Sequence, residues 1–153
     1  MIEKLEELIN DVSALHSKLI LLVGSDYSIK AAVLRRLAKS RNIEPLNIGV
    51  ELGARLSVLP QRERGIQAPN VLSVLADQYA HSGILLVKNI ELLFDRTLKL
   101  DPLDMLKRNA HSHCIVAIWP GDVRNDRLTY AEMGHPEYQD YSLEGLLTFQ
   151  TNS

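Results

Sequence analysis

The chain has 153 residues, a formal net charge of −2, and 46% hydrophobic and 24% charged residues. This length fits one domain, expected to span residues 1–153, and the apolar content excludes a disordered chain. The near-neutral charge argues against a strong general attraction to nucleic acid or to a membrane surface. No apolar run approaches the roughly 20 residues that span a bilayer, and no secretory signal is visible, so we expect a cytoplasmic protein without membrane contact.

Helical and strand patterns alternate through the first half of the chain. Apolar residues recur at helical spacing from Ile2 to Leu15 and predict an amphipathic helix. The continuous apolar run at 19–23 predicts a strand that is buried on both faces. After a polar loop, residues 30–41 predict a helix, residues 45–50 a short strand, and residues 52–59 a further helical segment.

The second half continues the alternation. Pro69 suits the first turn of a helix that runs to Tyr79, and residues 103–109 predict a helix of about two turns. Apolar runs predict two more strands, at residues 84–87 and 114–119, and residues 143–149 are a candidate for a last strand. Residues 122–142 are polar and are expected to be irregular. Alternating buried strands and helices predict an α/β fold, a three-layer sandwich around a mainly parallel central sheet. Cys114, the single cysteine, falls in one of these runs and is expected to be a buried free thiol.

The loop after the first strand contains part of a phosphate-binding motif. It reads Gly24-Ser25-Asp26-Tyr27-Ser28-Ile29-Lys30-Ala31, against the pattern G-x-x-x-x-G-K-[ST]. Gly24 and Lys30 have the right spacing, but Ile29 replaces the second glycine and Ala31 replaces the hydroxyl residue that helps to bind Mg²⁺. The motif predicts a P-loop NTPase-like fold with residues 19–23 near the centre of the sheet, flanked by 84–87 and 114–118. A plain strand-to-helix turn is an equally good interpretation, and its helix N-terminus can still bind an anion.

The segment after residues 84–87 also departs from an ATPase. Lys88 stands where an Asp would be expected to help hold Mg²⁺, so both protein ligands for the metal are missing. Glu91 is either a relic of catalytic machinery or a solvated carboxylate. We therefore expect ATP or another nucleotide, if it binds, to bind weakly or without metal. Lys30 and Lys88 are expected to share a pocket in which Asp26, Glu91 or a dissolved anion balances their charge.

Six stretches of the chain have an unusual sequence: LNIGVEL at 46–52, NIELLFD at 89–95, LKLDPL at 98–103, VAIWPG at 116–121, LTYA at 128–131 and GHPEY at 134–138. In this order they resemble BrxF, the family of small P-loop proteins of type 3 BREX bacteriophage-exclusion systems. The resemblance implies a prokaryotic antiphage component with an ATPase-like fold that works in a complex with other BREX subunits. The typical P-loop and metal-binding residues of the family differ from those of this chain at Ile29, Ala31 and Lys88. This difference argues against efficient hydrolysis of a nucleotide.

Three functions remain open at this point. The first is a degenerate P-loop subunit that forms homo-oligomers and binds partner subunits, and the second is an active Mg²⁺-dependent ATPase. The third is a DNA-binding accessory subunit whose basic loops face the phosphate backbone, with DNA reached through an assembled complex. Arg62 and Arg64 are candidates for a contact between subunits, although a solvated loop explains them as well. Trp119 is either a core anchor or a stacking surface. His135 and Glu137 would need a third ligand, such as His111 or His113, to bind a metal, so no metal site is predicted.

Overall fold

The computed structural model describes residues 2–12, 18–130, 139–143 and 146–151. Its helices are α1 (Ile2–Val12), α2 (Tyr27–Arg41), α3 (Ile48–Ser57), α4 (Gln61–Tyr79) and α5 (Pro102–Asn109), with two short 3₁₀ helices at Ile90–Phe94 and Arg96–Leu98. Its strands are β1 (Leu19–Val23), β2 (Leu46–Asn47), β3 (Ile84–Lys88), β4 (Cys114–Ile118), β5 (Gly121–Arg124), β6 (Arg127–Tyr130), β7 (Gln139–Ser142) and β8 (Leu147–Gln150). None of the described helices is long and apolar enough to cross a membrane.

Five parallel strands form the main sheet, in the order β2-β3-β4-β1-β8. The predicted α/β fold with a mainly parallel sheet is therefore confirmed. The predicted neighbours of β1 are only half right: β4 lies beside it, but β8 lies on its other side and β3 is one strand further away. Strands β1, β3 and β4 are apolar runs that suit burial on both faces, and apolar composition alone does not specify which runs pair.

Side chains of β1 alternate between two cores because successive residues of a strand point to opposite faces. Leu19, Leu21 and Val23 pack with the apolar side chains of α3, α4 and α5. Ile20 and Leu22 pack on the opposite face with those of α1 and α2. Helices therefore cover both faces of the main sheet. Cys114 is a buried free thiol, as predicted.

A second sheet occupies most of the stretch predicted to be irregular. Strands β5, β6 and β7 pair antiparallel in that order, so the prediction for residues 122–142 is wrong where this region is described. Asn125 and Asp126 connect β5 to β6 with φ angles of 52° and 61°. Two consecutive positive φ angles match the tight turn whose twist suits a hairpin. These strands have only four residues each, which is too short for a clear alternating pattern.

Several predicted boundaries also change. The strand predicted at 45–50 ends at Asn47, because the Asn47 side chain accepts a hydrogen bond from Val50 N at 3.1 Å and starts α3. Pro69 lies inside α4, which already begins at Gln61, so it does not mark a first turn. The predicted helix at 30–41 starts earlier, at Tyr27. Leu15 lies outside the described residues.

Candidate functional site

A crevice of about 450 Å³ opens at the carboxyl ends of β1 and β4. The loop after β1 and the first turn of α2 line one wall, and the turn after β4 with β5 and β6 lines the other. From β1 the chain crosses to the β2 edge of the sheet, whereas from β4 it crosses to the β8 edge. Both strands end at this edge, and open α/β sheets bind ligands beyond the carboxyl ends of their strands.

Asp26 ends the loop after β1 and begins α2. Its carboxylate accepts hydrogen bonds from Ser28 N at 2.9 Å and from Ser28 Oγ at 2.6 Å. These bonds from Ser28 lower the pKa of the Asp26 carboxyl group. A cap at this position leaves only residues 24–26 between β1 and α2, too few to wrap around a phosphate as the longer P-loop pattern does. Ser28, Ile29 and Lys30 are already helical, and Asp26 uses a backbone N–H that an anion would otherwise need.

Lys30 is almost completely buried, with 3% of its surface exposed. Its Nζ donates hydrogen bonds to the carbonyl oxygens of Trp119 at 2.6 Å and Gly121 at 3.1 Å. Burial lowers the pKa of the Lys30 ammonium group, while the carboxylates of Asp122, Glu91 and Asp26 oppose that shift. Backbone oxygens therefore satisfy the positive charge that the motif would offer to a phosphate.

Trp119 is a core residue, which agrees with the first of the two predictions made for it and not with a stacking surface. Its side chain is fully buried, its Nε1 donates to Thr129 O at 2.8 Å, and its ring lies 5.5 Å edge-on from Phe94. Two residues later, the backbone of Gly121 lies very close to the backbone of Thr129: an added Cβ would lie 1.8 Å from Thr129 O. Gly121 O also accepts a hydrogen bond from Gly24 N at 3.2 Å. The turn at 119–121 thus joins the second sheet to the loop after β1.

Tyr27 lies at the mouth of the crevice with 46% of its surface exposed. Its hydroxyl donates to Asn89 Oδ1 at 3.1 Å, and partial burial, with the Glu91 carboxylate as a second cause, raises the pKa of Tyr27. Asn89 follows β3 in the left-handed conformation, with φ of 55°. Glu91 is exposed and lines the crevice together with Lys30. Lys88, a partly exposed residue at the end of β3, is not among the described residues that line it.

The other candidates from the sequence lie away from the crevice. Arg64 donates from Nε to Leu59 O at 3.1 Å and from Nη2 to Ser57 O at 3.4 Å, so it satisfies backbone carbonyls at the end of α3. Arg62 is exposed on α4. Neither arginine is among the described residues that line the crevice.

The histidine and glutamate residues considered as metal ligands are not brought together where the structure describes them. His135 and Glu137 fall outside the described residues, and His113 Nε2 lies 2.9 Å from Asp77 Oδ1. Within the described ranges, no group of three or more His, Cys, Asp or Glu side chains is placed to hold a metal ion.

Sequence reasoning missed the wall that β5 and β6 contribute. Asp122, Arg124, Thr129 and Tyr130 all line the crevice, yet they belong to the stretch expected to be irregular. The available signal was the pair Asn125-Asp126, which favours a tight hairpin turn between two short strands.

The resulting site combines hydrogen-bonding groups, an exposed aromatic ring and charges of both signs. These groups suit the binding of a small polar ligand. Comparison of the chain with models of known protein families, with curated proteins and with solved structures found no match.

Proposed function

We propose that this chain is a P-loop-like subunit of a BREX bacteriophage-defence complex that assembles and binds partners without hydrolysing ATP efficiently. The observation that carries the non-hydrolytic part is the double hydrogen bond from Lys30 Nζ to Trp119 O and Gly121 O. A lysine that donates to its own backbone has to break buried hydrogen bonds before it can reach a phosphate, which makes phosphate binding less favourable.

The loss of metal ligands supports the same proposal. Phosphoryl transfer depends almost entirely on positioning and on electrostatic stabilisation of the transferred group, much of it by Mg²⁺. Ala31 has no hydroxyl group and Lys88 carries the wrong charge for that metal. Losing one stabilising contact of this kind can slow a reaction by about 10²–10³-fold, and two losses should act together.

The P-loop-like classification, the defence role and the assembly role are parts of the proposal. A strand–loop–helix unit with Gly24 and Lys30 at P-loop spacing, set within a parallel sheet, supports the classification. The resemblance of six sequence stretches to BrxF supports the defence role and other BREX subunits as partners. We propose a homo-oligomer in the cytoplasm, with DNA reached through the assembled complex, by analogy with ATPases of this fold.

One observation favours an alternative, an active Mg²⁺-dependent ATPase. Lys30 and Glu91 line the same crevice, so a cationic group and a carboxylate already lie near each other at the expected edge of the sheet. In that case nucleotide binding would have to move Lys30 away from the turn at 119–121.

Steady-state ATP hydrolysis with Mg²⁺, by the chain alone and with its partner subunits, separates the two functions. The proposal expects a turnover far below about 1 s⁻¹, the lower end of ordinary phosphoryl-transfer enzymes. A faster turnover that Lys30→Ala abolishes would establish the ATPase instead. Size-exclusion chromatography with light scattering, on the chain alone and mixed with BREX subunits, tests assembly. A monomer that associates with none of those subunits would contradict the assembly role.

A further inference from the structure

Two side chains of opposite charge line the crevice without a hydrogen bond or an ion pair to any residue that the structure describes. Arg124, at the end of β5, and Glu91, after β3, are both exposed. Within the described part of the chain, neither side chain makes a hydrogen bond or an ion pair. Their charges are therefore available to a ligand.

The other charged groups of the crevice are already engaged. Lys30 Nζ is held by two carbonyl oxygens. Asp122 Oδ1 accepts hydrogen bonds from Val123 N at 2.8 Å and from Gln150 Nε2 at 3.2 Å. A ligand can reach Arg124 and Glu91 without breaking such bonds, whereas it cannot reach Lys30 in that way.

From this arrangement we propose that the crevice binds a nucleoside monophosphate, with Arg124 rather than Lys30 as the residue that recognises its phosphate. An arginine guanidinium group is always charged and offers paired N–H donors that match phosphate oxygens. The Glu91 carboxylate accepts hydrogen bonds and suits ribose hydroxyl groups, as acidic residues do in other nucleotide sites. The exposed ring of Tyr27 offers a face on which a base can stack.

The charge of the crevice favours a monophosphate over a triphosphate. Glu91 and Asp122 add two carboxylates to a crevice in which Arg124 is the cation that remains available among the described lining residues. A metal-free triphosphate would bring several more negative charges against those carboxylates. A volume of about 450 Å³ lies within the range of small-molecule sites. The inference rests on the proposed function in one respect: it takes the ligand of this crevice to be one that the chain does not hydrolyse.

Titration calorimetry in EDTA with AMP, GMP and ATP tests the proposal on the wild-type chain and two variants. Arg124→Gln removes the proposed phosphate contact. Arg127→Gln is the matched control, because Arg127 belongs to the same hairpin but donates to Asp140 at 2.6 Å and is not among the described lining residues. Circular dichroism verifies that both variants fold.

We expect AMP or GMP to bind the wild type more tightly than ATP does. Arg124→Gln should weaken that binding by about tenfold or more, a loss typical of a charged hydrogen bond, and Arg127→Gln should change it less than about twofold. The proposal is overturned if the wild type binds neither monophosphate at about 1 mM, if ATP binds more tightly in EDTA, or if the arginine variants behave alike.

These outcomes are separate from those of the proposed function. Rapid ATP turnover with Mg²⁺ would contradict the non-hydrolytic subunit and leave metal-free monophosphate binding through Arg124 intact. Conversely, a chain that assembles with BREX subunits but binds neither AMP nor GMP would retain the proposed function and lose this inference.

Discussion

The Lys30 ammonium group lies 2.6 Å from the carbonyl oxygen of Trp119, a residue 89 positions further along the chain. This hydrogen bond joins the first turn of α2 to the turn after β4. Lys30, the residue that most suggested phosphate binding, therefore holds two parts of the protein together. The same lysine can therefore be examined through stability as well as through ligand binding.

Replacing Lys30 with Met should change how stability depends on alkaline pH. Burial lowers the pKa of Lys30 in the folded state, so between that pKa and the unfolded value of about 10.4 the unfolded chain binds more protons at this site. The free energy of unfolding of the wild type should therefore rise, relative to Lys30→Met, as pH increases through this window. Urea denaturation of both proteins at several pH values up to about 10 measures the difference. A constant difference would show that the Lys30 pKa is not lowered by folding.

Gly121→Ala should destabilise the protein strongly. The new methyl group would lie 1.8 Å from Thr129 O, which is backbone and cannot rotate away. Separating β5 from β6 to make room should cost at least the roughly 1–3 kcal/mol of an overpacked core. Gly53→Ala is the control, because its nearest neighbour would be Leu92 Cδ2 at 3.8 Å and alanine favours a helix. Urea denaturation should find that control neutral or stabilised by up to about 1 kcal/mol. Equal stability of the two variants would contradict the close approach at Gly121.

Tyr141→Phe should reduce the loss of stability at very alkaline pH. Burial, with Asp101 as a second cause, raises the pKa of Tyr141 to about 12, while an unfolded tyrosine ionises near 10. The folded state therefore binds more protons at this site between those values, and its contribution to stability is lost as pH rises through them. We expect the wild type to lose more unfolding free energy than Tyr141→Phe from pH 10 to about 12. Ultraviolet absorbance of tyrosinate during the titration measures the ionisation directly. An equal loss of unfolding free energy in the two proteins would exclude the shift.

Glu6→Gln should weaken the attachment of α1 to α2. Both carboxylate oxygens of Glu6 accept hydrogen bonds from Arg41, and the two side chains are about one quarter exposed, at 28% and 24%. Loss of the pair should cost about 0.2–1 kcal/mol, and high salt should reduce that difference. Glu7→Gln, an exposed neighbour on α1, removes the same charge without removing this pair. Equal thermal stability of Glu6→Gln and Glu7→Gln would show that the pair of Glu6 and Arg41 makes no measurable contribution to stability.

Strand positions were predicted well wherever a run was uniformly apolar. Residues 19–23 and 84–87 are strands in the structure, and 114–119 differs from its strand by one residue. These runs have no polar residue that could face water, so burial inside a parallel sheet is the stable arrangement. The edge strand β2 and the small sheet were harder, since their strands have two to four residues and depend on neighbours for their pairing.

The start of α2 shows how a local polar group changed the predicted site. Asp26 was one of the groups expected to balance the charges of Lys30 and Lys88, and its carboxylate accepts the Ser28 N–H at the helix N-terminus. Its capping role begins the helix at Tyr27 rather than at Lys30, which shortens the loop. Asp26 and Ser28 are only two positions apart, so this contact was in principle readable from the sequence.

The amino-acid sequence by itself determined the class of the protein: apolar runs and helical spacing require buried strands covered by helices, since their side chains have no other way to leave water. Only the tertiary structure decided which strands became neighbours and which groups meet in the crevice. Lys30 meets Trp119 and Gly121, and Arg124 faces the same space as Glu91, because β1, β3 and β4 end at one edge of the sheet. Such contacts join residues far apart in the chain, and local residue preferences carry no information about partners at that distance.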